Sequence, residues 1–314
     1  MRAAVLGCGA IGAGSGAEPH PDVGVITHAG AYAACPETEL VAVADADTRR
    51  AEAAGRRWNA RPYTDVAALL DATAPEIVSV ATPDPTHAEL LERCLRAPSV
   101  RAVLAEKPLA LDVGTARDLV ALARERDVAL AVNYSRRFAP AFQRLRADLG
   151  IGELQHVHGL YVKGLAHNGT HWLDLLRMLA GDPVAAVGFD RLREGGHDPT
   201  LDAELTLPGG VGARLAGLDT ARFTAFEMDL VGTQGRVRIS ESGHVIERFA
   251  VAADLRHPGY HVLQATERVT GALRDTTLHA VGQLVRGEAA CTGEDGVAAL
   301  ELVAAIRELG SAPR

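Results

Sequence analysis

A short apolar strand running straight into a glycine-rich turn is the feature that most narrows the folds open to this chain. Ala3 to Leu6 reads as the strand, and Gly7-Cys8-Gly9-Ala10-Ile11-Gly12 follows it in the pattern G-x-G-x-x-G. The first glycine permits a tight turn, the second lets a pyrophosphate approach the backbone, and the third allows close packing of the following helix. The pattern gains weight when an acidic residue ends the next strand. Leu40 to Ala44 reads as that strand, and Asp45 ends it. These residues predict a dinucleotide site made of Gly7, Gly9, Ala10, Ile11, Gly12 and Asp45. NAD is the expected cofactor, because a carboxylate at that strand end bonds ribose hydroxyls and repels the 2′-phosphate of NADP. Arg49 and Arg50, a turn later, are the residues that could rescue NADP binding.

The spacing is unusual. Asp45 lies 33 residues beyond Gly12, where roughly 20 is usual. Residues Ala13 to Gly24 account for the excess, and Pro19 and Pro21 prevent a helix from running straight through them. The segment reads as an inserted loop, either close to the cofactor pyrophosphate or a solvated excursion without a role. Helical character resumes over Thr27 to Ala34.

The strand–helix rhythm then continues. Ile77 to Ala81 is a strand ending in Thr82-Pro83, which places those two residues beside a bound nicotinamide. Thr86 and Glu89 fit a capping box for the helix that runs to Leu95, and His87 at its start is a further candidate for the cofactor site, against the reading that it is a structural hydrogen-bonder. Val100 to Leu104 is a buried parallel strand that delivers Ala105-Glu106-Lys107-Pro108-Leu109 to its carboxyl end. Ligands in open α/β sheets bind outside that end. Lys107 is therefore placed beside the cofactor, where it can share a proton with a reacting oxygen, and Glu106 lies next to it. Proline at 108 makes a cis Lys107-Pro108 bond plausible. A helix over Asp112 to Arg126 and a strand over Ala129 to Val132 complete a doubly wound parallel sheet, closing a first domain at residues 1–133.

Residues 134–314 read differently. Beyond a helix over Pro140 to Leu149, extended runs such as Leu154 to Val162, Leu201 to Leu207, Val211 to Leu218, Glu227 to Val231, Arg236 to Ser240 and Val245 to Phe249 alternate apolar and polar side chains. Turn sequences separate several of them, which predicts an antiparallel meander with one buried face. Helices over Thr276 to Arg286 and Asp295 to Leu309 end the chain. The fold class is α/β: an N-terminal Rossmann sheet followed by an α+β domain with a large, mainly antiparallel sheet, and an active site expected between the halves. A helix over Asn168 to Ala180, capped by Asn168 and stopped by Gly181, follows His167 and carries His171 and Asp174 on one face. His171 reads as a proton-transfer group. His167 lies before the expected cap, so the pair does not form a helical i,i+4 metal site, and no metal is expected.

Composition narrows the function classes. Thirty-two basic against 40 acidic residues give a net charge of −8, and there is no basic stripe with interleaved aromatics, so nucleic acid is not an expected partner. No apolar run reaches the ~18 residues of a membrane span. Cys8, Cys35, Cys94 and Cys291 are scattered, as reduced thiols of a cytoplasmic protein would be.

Taken in order, several segments resemble the glucose–fructose oxidoreductase / inositol dehydrogenase (Gfo/Idh/MocA) family over nearly the whole length. These are the glycine-rich turn, Glu106-Lys107-Pro108, the Asn133-Tyr134-Ser135-Arg136-Arg137-Phe138-x-Pro140 segment, the histidine helix ending in Asp174, and Asp229-Leu230-x-Gly232-Thr233-x-Gly235. The resemblance implies an NAD(P)-dependent oxidoreductase acting on a sugar, nucleotide sugar or cyclitol, with Lys107 and His171 catalytic. It also implies a homodimer or homotetramer. The family pattern has an aspartate four residues before the histidine; here that position is His167, which becomes a candidate to share the catalytic role. Tyr134, Arg137, Tyr161, Lys163 and Asn168, with Lys107 and His171, are the candidates for holding substrate. The alternative is a non-catalytic dinucleotide-binding sensor on the same scaffold. Retention of both Lys107 and His171 favours the enzyme.

Overall fold

The computed structural model describes residues 1–14, 22–189, 197–219 and 222–310. The chain divides into two compact units, Met1–Ala139 with Arg274–Ala298, and Pro140–Leu273 with Ala299–Arg314.

In the first unit, strands alternate with helices: β1 (Arg2–Leu6), α1 (His28–Ala34), β2 (Glu39–Ala44), α2 (Thr48–Trp58), β3 (Arg61–Tyr63), α3 (Val66–Thr73), β4 (Ile77–Val80), α4 (His87–Arg96), β5 (Ala102–Ala105), α5 (Val113–Glu125), β6 (Ala129–Val132) and the single turn α6 (Ser135–Phe138). All pairings are parallel, in the order β3-β2-β1-β4-β5-β6. This is the doubly wound dinucleotide-binding order, which reverses direction between β1 and β4. Residues of β4 and β5 are buried throughout, as expected of strands covered by helices on both faces. Side-chain caps start several helices: Thr27 for α1, Asp47 for α2, Asp65 for α3 and Asp112 for α5 each accept a backbone N–H of the first turn.

The capping box expected at Thr86 does not form. Thr86 has helical backbone angles and its side chain makes no hydrogen bond to the helix behind it; its hydroxyl donates to Pro83 O at 2.8 Å. A second difference concerns Arg274–Ala298, which the division after residue 133 assigns to the second half. Asp275 Oδ1 accepts from Val25 N at 2.7 Å, Thr277 donates to Ile26 O at 2.8 Å, and Val132 N donates to Cys291 O at 3.2 Å. The helix α9 (Thr276–Val285) thereby packs on α1, α6 and β5.

The second unit contains α7 (Pro140–Ala147), β7 (Leu154–Tyr161), α8 (Thr170–Ala180), β8 (Ala185–Phe189), β9 (Asp202–Thr206), β10 (Gly212–Gly217), β11 (Phe226–Gly232), β12 (Gly235–Ser240), β13 (Val245–Ala253) and β14 (His261–Val269). A last helix, α10 (Gly293–Gly310), ends the described chain. The sheet order is β14-β13-β12-β11-β7-β10-β9-β8, antiparallel except for the β7–β10 pair. A meander would keep strands in sequence order. Here β7 lies in the middle, between β11 and β10. Strands β8 and β14 were not expected; β14 is mostly exposed on both faces, so it carries no alternation to read. Trp172, Tyr161 and Phe226 fill the core beneath the sheet, each at most 1% exposed.

Candidate functional site

The dinucleotide loop sits at the point where the parallel sheet reverses. Gly7 has φ +97°, and a side chain there would collide with Ala81 O beyond the end of β4. A side chain at Gly12 would collide with Gly7 O. Gly9 differs: a Cβ there meets nothing within 4 Å, so its backbone faces open space. Two close-packed glycines around one open glycine form a cradle that fits a pyrophosphate.

The spacing anomaly has a structural answer. His28 N donates to Ile11 O at 3.0 Å and Ala29 N donates to Gly12 O at 2.9 Å. Each bond spans 17 positions where a helix spans four, so thirteen residues leave the helix and return to it. Taking those 13 from the 33 between Gly12 and Asp45 leaves 20, the ordinary separation. Trp58 Nε1 anchors the departing chain by donating to Ala13 O at 2.8 Å. Most of the expected 13–24 loop, residues 15–21, lies outside the described residues.

Asp45 stands where the sequence places it. Its Oδ2 accepts from Cys8 N at 2.9 Å, and its Oδ1 accepts from Asp47 N at 2.9 Å and from Arg50 Nη2 at 2.9 Å. Burial raises the carboxyl's affinity for a proton, but these bonds and the Arg50 charge outweigh it and hold Asp45 below the usual carboxylate range. The same neighbourhood pushes the Cys8 thiol up to about 12, through burial and the Asp45 charge.

Behind Lys107 lies a buried polar chain. Asn133 Nδ2 donates to Glu106 Oε1 at 2.7 Å, and His28 Nε2 lies 3.1 Å from the same oxygen. His28 Nδ1 is 2.8 Å from Ser79 Oγ, which is 2.8 Å from the Tyr32 hydroxyl. One proton assignment joins Tyr32 to Glu106: Tyr32 donates to Ser79, Ser79 to Nδ1, and the Nε2–H to the Glu106 carboxylate, while Asn133 Oδ1 is buried without a partner among the described residues. Burial disfavours a charge on Glu106, yet the His28 and Asn133 bonds and the Lys107 charge hold its carboxyl below the usual range. Lys107 follows it at the end of β5, through a cis bond to Pro108. His28, Ser79 and Tyr32 carry no motif, and Asn133, though it opens a segment that resembles the family's, has no role assigned there; nothing in the sequence marks side chains that converge from three elements.

His87 was expected near the cofactor. It is 1% exposed, with Nε2 2.7 Å from Thr82 O and Nδ1 2.6 Å from Pro108 O. Its ring ties the loops after β4 and β5 together and is not presented to a ligand. Thr82 and Pro83 lie in the first of those loops. Tyr134 is 2% exposed at the start of α6, and Arg137, 5% exposed, pairs with Asp295 at 3.1 Å; both are internal supports of this unit rather than open ligand contacts.

In the second unit, the chain leaves β7 through Lys163 (φ +67°) and Gly164 (φ +81°) and enters a π-helical turn, Leu165–Gly169, continuous with α8. Asn168 was expected as the cap. It lies inside this turn instead, with Nδ2 donating to Val162 O at 3.0 Å. The helical run starts earlier because residues 198–200 accept its first N–H groups: Gly164 N donates to Thr200 Oγ1 at 3.1 Å and Leu165 N to Pro199 O at 3.1 Å. Ala166 N donates to Asp198 Oδ1 at 2.8 Å and His167 N to Asp198 Oδ2 at 2.7 Å. His171 is partly exposed one turn later, whereas Asp174 is 1% exposed. Tyr161 is fully buried, its hydroxyl donating to Leu201 O and accepting from Leu201 N, both at 2.7 Å, so it braces the same segment. Lys163 is exposed and donates to Thr224 Oγ1 at 2.8 Å. Among the described residues, no group of three or more His, Cys, Asp or Glu side chains is placed to hold a metal.

Residues 1–134 match the model of the Gfo/Idh/MocA oxidoreductase family, NAD-binding Rossmann fold. The chain is 28% identical to inositol 2-dehydrogenase of Rhizobium meliloti (strain 1021), across 98% of this chain and 97% of that protein. It is 30% identical to UDP-N-acetylglucosamine 3-dehydrogenase of Acidithiobacillus ferrooxidans, across 73% of this chain and 70% of that protein. The solved structure of UDP-N-acetylglucosamine 3-dehydrogenase from Acidithiobacillus ferrooxidans shares the fold, with a TM-score of 0.80 at 24% identity over 98% of this chain and 97% of that one. By these matches the chain belongs to the Gfo/Idh/MocA family and is an NAD-binding, NAD(P)-dependent dehydrogenase.

Proposed function

We propose that this dehydrogenase moves a hydride between nicotinamide and a ring carbon of a sugar, nucleotide sugar or cyclitol. The observation that carries the reading is Lys107 at the carboxyl end of β5, next to a Glu106 carboxylate fixed by His28 and Asn133. The names of the relatives, an inositol dehydrogenase and a nucleotide-sugar dehydrogenase, support the substrate class. A bound nicotinamide supplies C4 as hydride donor or acceptor. In the oxidation direction His171 takes the proton from the substrate hydroxyl, and Lys107 hydrogen-bonds the same oxygen and offsets its developing charge. His167 is the second candidate for proton transfer, and Lys163 and Asn168 for substrate hydroxyls. Gly9 leaves room for the pyrophosphate, and Asp45 receives the ribose hydroxyls.

NAD is the preferred form. Asp45 keeps its charge, and Arg50 is already paired with it, so a 2′-phosphate meets a carboxylate rather than a free guanidinium. Titration should show tighter binding of NADH than of NADPH; equal affinities would remove that role from Asp45.

The protein works in the cytoplasm as a homodimer or homotetramer. Four buried free thiols are in keeping with a reducing compartment. One face of the second unit's sheet carries a cross-strand row of mostly alternating charge, Arg214–His158–Asp229–Arg238–Glu247–Arg268, which can complement a second copy. Light scattering across protein concentration tests the assembly.

The reaction is tested by incubating the protein with C4-deuterated NADH and a panel of keto-sugars, keto-cyclitols and nucleotide keto-sugars. Label in one class of product establishes hydride transfer and names the class. Bound NADH with no label in any product would overturn this substrate assignment.

A further inference from the structure

Asp198 is assigned no role by the motifs or by the reaction proposed above, yet it holds the start of the helix that carries His171. A helix start leaves its first N–H groups without intrahelical partners, and a Ser, Thr, Asp or Asn at the cap usually satisfies one of them. Here the cap position is Gly164, which has no side chain to offer. The four consecutive donors Gly164, Leu165, Ala166 and His167 are instead taken in order by Thr200 Oγ1, Pro199 O, Asp198 Oδ1 and Asp198 Oδ2. Asp198 supplies two of those acceptors and a negative charge where the helix dipole is positive.

Two features show that the arrangement is built for this carboxylate. Any side chain at position 164 would collide with Asp198 Oδ2, so the glycine there makes room for it. On its other side Arg307 of α10 donates through Nη2 to Asp198 Oδ1 at 2.6 Å and to His197 O at 3.2 Å. Charge-assisted bonds of this length fix direction as well as distance. Asp198 is therefore clamped between a cation and two backbone amides. One of those amides belongs to His167, four residues before His171.

We infer that Asp198 is a positioning residue: as a cap supplied from outside the helix, held by Arg307, it sets the orientation of the His167–His171 turn. The inference rests on the reading of His171 as the proton-transfer group only for its consequence in turnover; the positioning itself is read without substrate.

The test uses the full chain with 15N backbone labelling and 13C,15N-labelled histidine. In Asp198→Asn, one of two strong acceptors becomes a donor and Arg307 loses its charge partner. Amide exchange at Ala166 and His167 should rise at least about tenfold, and the ring signals of His167 and His171 should shift or broaden. Those of His156 and His158, on β7, should stay in place. Asp198→Glu, which keeps the charge, should recover part of the His171 signal. With the substrate found by deuterium transfer, kcat of Asp198→Asn should fall about 10- to 100-fold, the range a small misplacement costs, with KM for NADH unchanged. Should Asp198→Asn fail to fold, Arg307→Lys loosens the clamp without removing an acceptor and should give a smaller version of the same shifts. Wild-type exchange at Ala166 and His167, or an unmoved His171 ring signal in a folded Asp198→Asn protein, would overturn the inference. Failure of the catalytic reading shows elsewhere, as full turnover in His171→Ala.

Discussion

Lys107 and the His171 helix are supported in contrasting ways. Lys107 stands at the end of a buried strand, beside a carboxylate held by side chains from α1 and the end of β6. The helix carrying His171 starts on backbone donors, and a separate segment, residues 198–200, accepts them. In the first unit the support is a network of side chains around one charge. In the second it is the placement of a loop. A network of that kind fails when its chemistry changes, even if every atom stays in place. A docked loop fails when its geometry changes.

The largest expected effect separates chemistry from support in the second unit. His171→Ala should lower turnover by about 10²–10⁴-fold, the contribution of a general base, with NADH affinity unchanged. Stopped-flow binding and steady-state rates check it, and wild-type turnover would remove His171 from the mechanism. Next is Glu106→Gln, an isosteric change that removes the charge and turns one acceptor oxygen into a donor. The buried bonds from His28 and Asn133 then meet a neutral amide, and the urea midpoint should report a loss of about 1.5–3 kcal/mol. Its acid profile sharpens the point. Glu106 is held below its unfolded value of about 4.3. Its contribution to stability is therefore complete above that pH and disappears as pH falls through the lower, folded value. Wild type should lose more stability than Glu106→Gln between about pH 5 and pH 3; parallel losses would mean that other carboxylates dominate. Gly9→Ala should leave the melting temperature unchanged, because its Cβ meets nothing, but weaken NADH by about tenfold or more, some 1.4 kcal/mol. Calorimetric titration checks it, and unchanged affinity would move the pyrophosphate elsewhere. The smallest effect is at Thr86. Thr86→Ala should cost less than the ~1 kcal/mol usual for a cap, since the hydroxyl bonds Pro83 O instead of the helix. A full-sized loss in thermal unfolding would contradict that geometry.

The same contrast governs what could be read from the residues. Strands of the first unit announce themselves as apolar runs, and their ends deliver Gly7, Asp45, Thr82 and Lys107 to one edge of a parallel sheet. Once the sheet is known, those positions follow from its topology. The 33-residue spacing to Asp45 looked like a departure, and it resolves because two backbone bonds close the helix across the insertion. Thr86 matched a capping box in sequence, but spacing does not say whether the backbone at that residue will turn the hydroxyl oxygen toward the helix N–H groups. Tyr161 and Arg137 are residue types that bind sugars, yet each is consumed by internal partners that lie far along the chain. Residues 198–200 had no local signature either, because an acceptor for someone else's helix need not belong to a helix. Long-range pairing of this kind is written in the fold and is invisible to periodicity.

The return of Arg274–Ala298 to the first unit has a consequence for how the protein is made. Residues 250 positions apart, Val25 and Asp275, share a hydrogen bond in the half that carries the dinucleotide cradle. A ribosome that has released the first 139 residues has therefore not yet supplied the segment that covers α1 and lies beside β6. That half is completed only after the segment Arg274–Ala298 has been translated. A nascent first half waits with an open flank, and a fragment cut after residue 133 would keep that flank for good.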